Sequence, residues 1–117
     1  MKKIITVDGP AGSGKEKISK YIARKYKLYH IDSGVFYRRL AYELKKNNIK
    51  TTEQQKIKKL IKKIDKLSLR KDNSLRKENI GVYASGIAKY EFVRDFINLQ
   101  QRLATKTLDN KGGFVID

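Results

Sequence analysis

Lys3-Ile4-Ile5-Thr6-Val7-Asp8-Gly9-Pro10-Ala11-Gly12-Ser13-Gly14-Lys15 is the stretch on which the reading of this chain turns. A short β-branched run enters a glycine-rich turn, and an amphipathic segment, Glu16 to Tyr26, leaves it. That order implies a strand, a phosphate-binding loop and a helix. The spacing G-x-x-x-x-G-K is met by Gly9, Gly14 and Lys15. Such a loop holds phosphate anions by turning its backbone N–H groups inward, and glycine permits the close approach and positive φ angles this needs. The helix beginning near Lys15 adds its dipole and free N–H groups, and the Lys15 ammonium reaches the outer phosphates. Gly9, Ala11, Gly12, Ser13, Gly14 and Lys15 are therefore candidates for holding nucleotide phosphates, and Glu16 and Lys17 continue the set.

Position 16 departs from the pattern, which wants Ser or Thr there to meet Mg²⁺. A carboxylate about 5 Å from one phosphate charge costs about 3 kcal/mol at an effective dielectric near 20. Three outcomes stay open: Glu16 impairs metal binding, ligates Mg²⁺ itself through oxygen, or leaves a nucleotide binder without turnover.

Working outward, 117 residues make one domain with a single modest core. Lys and Arg number 28 against 12 Asp and Glu, a net charge of +16 that attracts phosphate-bearing partners. Nucleic acid is the weaker expectation among them, because scattered lysines on helix faces are ordinarily just solvated. With no cysteine, disulfides, zinc knuckles and thiol nucleophiles are excluded, which fits a cytoplasmic setting. Asp8 ends the first apolar run too early for a signal peptide or membrane span, so no membrane partner is expected.

Residues 3–8 read as a strand of the buried type. Ile18, Tyr21, Ile22 and Tyr26 predict the core-facing stripe of the first helix. Leu28 to Ile31 predicts a second strand, Asp32-Ser33-Gly34 a turn, and Phe36, Leu40, Ala41 and Leu44 a second helix. Thr52 with Gln55 matches a capping box that opens a third helix, with Ile57, Leu60, Ile61, Ile64 and Leu67 on one face and lysines on the other. Residues 68–77 carry little pattern beyond the turn signal Asp72-Asn73-Ser74. Ile80, Ala84, Ile87 and Ala88 predict a fourth helix weakened by Gly81 and Gly86, each costing about 1 kcal/mol against Ala. After a break near Tyr90-Glu91, Phe92, Phe96, Leu99 and Leu103 mark a fifth helix ending around Lys106. A turn over Asp109 to Gly113 precedes a strand begun at Phe114. His30 and the aromatic set Phe36, Tyr37, Phe92 and Phe96 read as structural.

Strands alternating with helices imply a parallel α/β sheet. Three strands would leave an edge bare, so the chain reads as cut short.

With the loop, Asp32-Ser33-Gly34-Val35-Phe36-Tyr37-Arg38 and Phe92-Val93-Arg94-Asp95-Phe96 in this order, the chain resembles the cytidylate kinase family of nucleoside monophosphate kinases. Ile5 to Lys15 is similar to that family's opening nearly throughout, and Asp32-Ser33-Gly34 with Tyr37-Arg38 resembles its D-S/T-G-x-x-Y-R motif. Ser85-Gly86-Ile87-Ala88, Val93-Arg94 and Gln101-Arg102 follow at suitable spacing, and Val115-Ile116-Asp117 reaches the first residue of the family's D-G-R-D.

The resemblance implies a P-loop NTPase-like three-layer α/β sandwich with a partial parallel sheet, truncated after about three strands. It implies a single, incomplete domain over 1–117, in which 1–34 and 107–117 supply the core strands and loop and 35–106 a helical acceptor-nucleotide region. The implied reaction is phosphoryl transfer from ATP to CMP or dCMP with Mg²⁺. Lys15, Asp32 and Asp117 would be catalytic, and Gly9 with Ala11 to Lys17 would hold ATP. Ser33 and Arg38 would contact the acceptor, Ser85 its cytosine edge, and Arg94 would help hold the base; no residue is assigned as a metal ligand. Arg38 and Arg94 have a plainer alternative as surface arginines paired with Glu43 or Asp95. Departures from the family are Glu16-Lys17, a shortened segment from Leu67 to Glu78, and an end before G-R-D and the lid arginines. They lead to an expectation of weak or absent activity. The competing expectation is a non-catalytic basic protein that binds phosphate or RNA on a degenerate kinase scaffold.

Overall fold

The computed structural model describes residues 3–9, 13–68, 70, 73–107 and 112–117. Their order is β1 (Lys3–Thr6), α1 (Lys15–Tyr26), β2 (Tyr29–Ile31), α2 (Ser33–Lys46), α3 (Gln54–Lys63), α4 (Glu78–Ala88), α5 (Glu91–Thr107) and β3 (Gly113–Ile116), with a 3₁₀ turn at Asn73–Arg76. This is an α/β chain of the P-loop NTPase-like kind with a three-stranded parallel sheet. It divides into two compact units, Met1–Ser33 with Gln101–Asp117, and Gly34–Gln100.

In the first unit the strand order is β1-β3-β2, so the last strand in sequence takes the centre. Lys3 pairs with Gly113 and Ile4 with Phe114, while Tyr29 and His30 pair with Phe114 and Val115 from the other side. Gly113 has a φ of 111°, and a Cβ there would lie 1.9 Å from the Lys3 carbonyl oxygen, so this crossing of strands requires glycine. Phe114 and Val115 are fully buried, as a central strand demands. Residues 3–8 are not the expected buried strand. As an edge, β1 leaves Ile4 53 % exposed, and ladder pairing extends only to the Val7 N–H, which donates to the Ile116 carbonyl at 2.8 Å.

The stripe expected on α1 is also displaced. Ser19 and Ala23 are its buried residues, while Ile18, Tyr21 and Tyr26 are exposed. Small side chains four residues apart let the helix approach β3 and β2 closely, and Ala23 joins Leu28 and Val115 with half-buried Ile5, Val7 and Ile22. The larger aromatics go to the surface, where the Lys25 ammonium sits 5.8 Å from the Tyr21 ring centroid and 5.5 Å from that of Tyr26.

In the second unit α2 buries Val35, Phe36, Leu40, Ala41 and Leu44, in agreement with the expected stripe. Helix α2 already begins at Ser33, so Asp32-Ser33-Gly34 is a helix entry rather than a separate turn. Helix α3 buries Ile57 alone, and Leu67 is buried beyond its end. The Thr52 and Gln55 capping box does not form. Instead the Glu53 carboxylate accepts the Lys50 N–H at 2.9 Å and the Lys56 ammonium at 2.7 Å. Helix α4 buries Ile80, Ala84 and Ile87 as its spacing predicts. The Tyr83 hydroxyl donates to the Ile49 carbonyl and that of Tyr90 to Thr51 O, tying this part of the unit to the segment before α3.

Helix α5 buries Val93, Phe96, Ile97 and Gln100 in the second unit and Ala104 in the first; of the expected line Phe96 is buried, Phe92 and Leu103 are half-buried and Leu99 is exposed. Leu99 is 49 % exposed because the buried face is centred about one residue further on, where Gln100 is spent on hydrogen bonds. Its amide accepts the Leu67 N–H at 2.8 Å and donates to the Asp65 carbonyl at 3.2 Å. Among the described residues, no helix is long and apolar enough to cross a membrane.

Candidate active site

Parallel strands end on the same side of a sheet, and in open α/β sheets ligands bind beyond those carboxyl ends. Here β1 runs through Val7, Asp8 and Gly9 into the loop, β2 into Asp32 and Ser33, and β3 into Asp117. The sheet thus brings the start of the loop, Asp32, Ser33 and Asp117 to one edge. Gly14 caps α1 in the left-handed conformation, φ 87° and ψ 8°, which glycine alone adopts without strain. Its carbonyl accepts the Ile18 N–H at 3.1 Å, and the Ser19 hydroxyl donates to the Lys15 carbonyl at 2.7 Å, closing the first turn around a half-buried Lys15. Ala11 and Gly12, with Pro10, lie outside the described residues.

At the end of β3 the Asp117 N–H donates to the Ile31 carbonyl at 3.1 Å, and the Ser33 N–H donates to the Asp117 carbonyl at 3.0 Å. The Asp117 carboxylate meets His30 as well, with Oδ2 2.8 Å from Nε2. An ionised carboxylate has no proton to give, so Nε2–H is the donor. Sequence reasoning gave His30 no partner, since 87 residues separate the pair and only the neighbouring of β2 and β3 joins them. The available signal was a polar residue inside an otherwise apolar strand.

Glu16 is exposed, and its carboxylate pairs with the Lys20 ammonium at 3.0 Å. The described residues do not fit a magnesium site of the usual loop type. Position 16 lacks a hydroxyl, the Glu16 carboxylate is engaged by Lys20 and that of Asp117 by His30, and no three His, Cys, Asp or Glu side chains converge among the described residues.

Arg38, Ser85 and Arg94 belong to the helical unit and are exposed. Arg94 Nη1 donates to the carbonyls of Ala88 at 3.0 Å and Lys89 at 2.7 Å, so the guanidinium secures the end of the helix that carries Ser85. Burial raises the Tyr37 hydroxyl above the ordinary phenol range, and the Arg94 charge opposes that shift.

The sequence model of the family described as Cytidylate kinase matches residues 5–117. The chain belongs to the cytidylate kinase family. It is 36 % identical over 111 residues to the cytidylate kinase of Fusobacterium nucleatum subsp. nucleatum, covering 86 % of this chain and 51 % of that one. The cytidylate kinase of Caldicellulosiruptor saccharolyticus is 35 % identical over 119 residues, covering 89 % of this chain and 53 % of its own. A bifunctional pantoate ligase/cytidylate kinase of Prochlorococcus marinus is 33 % identical over 128 residues, covering 97 % of this chain and 24 % of its own. The chain therefore spans about half the length of the first two cytidylate kinases, at 51 % and 53 %. The family match takes in every residue of the sheet edge, from Gly9 to Asp117.

Proposed function

We propose that the chain acts as a (d)CMP kinase-like protein that binds ATP phosphates at its loop and transfers the terminal phosphoryl group to CMP or dCMP only slowly. The observation that carries this reading is the parallel strand order, which delivers the loop, Asp32, Ser33 and Asp117 to one sheet edge. Loop N–H groups and Lys15 hold the ATP phosphates, with the left-handed Gly14 turning the chain into the α1 N-terminus. An oxygen of the CMP phosphate attacks the terminal phosphorus in line, and the bond to the departing ADP oxygen breaks. Asp32 and Asp117 lie beside that centre in this proposal. Ser33 and Arg38 hold the acceptor, Arg38 by a two-pronged grip on its phosphate. Ser85 reads the cytosine edge, and Arg94 acts by holding the end of α4.

No step is routed through magnesium, because position 16 lacks the hydroxyl that a loop of the usual type offers that ion. Positioning and charge neutralisation do nearly all the work in phosphoryl transfer, so the loss of the loop hydroxyl accounts for slow turnover. A coupled assay of ADP release with CMP is expected to run far below the roughly 1–100 s⁻¹ of ordinary kinases. Turnover in that range would overturn the slow assignment. Exchanging Glu16→Ser, with Lys17 kept, removes a carboxylate from the start of α1 and is expected to tighten ATP binding by up to about tenfold by calorimetry. An unchanged affinity would place the limit elsewhere than at position 16.

A further inference from the structure

We propose that His30 is a positioning residue, which fixes the Asp117 carboxylate beside the entry to α2 at Ser33. The proposal rests on the kinase-like reading above, in which Ser33 belongs to the acceptor site. Three hydrogen bonds join residues 30–33 to Asp117: His30 Nε2–H to Oδ2 at 2.8 Å, the Asp117 N–H to the Ile31 carbonyl at 3.1 Å, and the Ser33 N–H to the Asp117 carbonyl at 3.0 Å. The two main-chain bonds set where residue 117 sits. They do not fix its side chain about the Cα–Cβ bond, and among the described residues the imidazole supplies the hydrogen bond that does.

The pair is well shielded, with side-chain exposures of 14 % for His30 and 4 % for Asp117. Bonds between a charged acceptor and a shielded donor are stronger than neutral ones and harder for water to replace. His30 itself is anchored by the register of β2, where it lies opposite Val115, so its ring is carried by the sheet rather than by a loop. Strand β3, strand β2 and the first residue of α2 are thereby closed into one ring of contacts at the sheet edge. Loss of the imidazole opens that ring on its side-chain face alone.

The test compares the full chain with His30→Leu, which removes the donor, and His30→Gln, which restores an N–H near the same place. Titration with CMP, followed by calorimetry, is expected to show about a three- to tenfold loss of affinity for His30→Leu and recovery to within about twofold for His30→Gln. ATP affinity is expected to stay within about twofold in both variants, since the loop is not part of the ring. Imidazole ¹⁵N spectra of the unsubstituted protein should show Nε2 protonated, with a change on Asp117→Asn.

Equal CMP affinity in His30→Leu and the unsubstituted protein would overturn the positioning role. So would parallel losses of CMP and ATP affinity that His30→Gln fails to rescue, since those report a general structural defect. If the unsubstituted protein binds ATP but no CMP, the acceptor reading itself fails and takes the positioning role with it. That result differs from the first two because it appears without any substitution at position 30.

Discussion

The two units of the chain are built to different standards. In Gly34–Gln100, Phe36, Leu40, Leu44, Ile57, Ile87, Val93 and Ile97 are all buried to 1 % exposure or less. Several polar groups within that unit are also closed on themselves, with Gln100 bridging Asp65 and Leu67, the Tyr83 and Tyr90 hydroxyls on main-chain carbonyls, and Arg94 on the end of α4. In the sheet unit α1 buries only Ser19 and Ala23, and Ile4, Ile18, Tyr21, Tyr26 and Tyr29 stay exposed. The unit with the loop and the strand-end residues therefore has the thinner core, and folding strength and candidate chemistry draw on different residues.

Substitutions should separate the two. Phe36→Ala empties a fully enclosed site and is expected to cost about 3–5 kcal/mol in urea unfolding, the largest effect of any here. Gly113→Ala acts by another route, since the new Cβ would meet the Lys3 carbonyl at 1.9 Å on a backbone with φ 111°. It is expected to cost at least about 2 kcal/mol and to release β1 from β3. Hydrogen exchange would show the Val7 amide losing protection while amides of α2 and α4 keep theirs. Loss of protection in all three together would mean that the two units unfold as one, and the contrast would fail.

What could be read in advance follows the same division. The stripes of α2 and α4 were legible because large apolar residues at helical spacing are the residues that become buried there. Those of α1 and α5 were misphased because Ser19, Ala23 and Gln100 decide the buried face, and a count of large hydrophobic residues passes over all three. The loop was legible from its glycine and lysine spacing. Strand order was not, because nothing local tells β3 to enter between β1 and β2, and that insertion is what places Asp117 beside His30. The open question at Glu16 concerned charge near phosphate; the exposed pair with Lys20 adds a partner that spacing alone did not weigh.

Ile18 offers a sharper check on the thin core. The sequence places it on the buried stripe of α1, and the structure leaves it 51 % exposed. Ile18→Ala is expected to change stability by no more than about 0.5 kcal/mol, as for an ordinary surface site. A loss of about 2 kcal/mol or more would return Ile18 to the core and narrow the difference between the units.

The smallest expected effect lies at the start of α3, where the well-packed unit meets solvent. The Glu53 carboxyl is held below its ordinary range, first by the Lys56 hydrogen bond and then by the Lys50 N–H. A carboxyl depressed in the folded state adds stability above its unfolded pKa, and that contribution is lost as the pH falls through the folded value. The increment should therefore be present at neutral pH and absent in strong acid. Since the pair with Lys56 lies at the solvent boundary, solvent screening keeps it small. Glu53→Gln removes the titration. The urea midpoint of the unsubstituted protein is expected to exceed that of the variant slightly at pH 7, with the gap closing as the pH is lowered beyond the acid range. A gap that widened in acid would reverse the sign and show that Glu53 is not held by the contacts at Lys50 and Lys56.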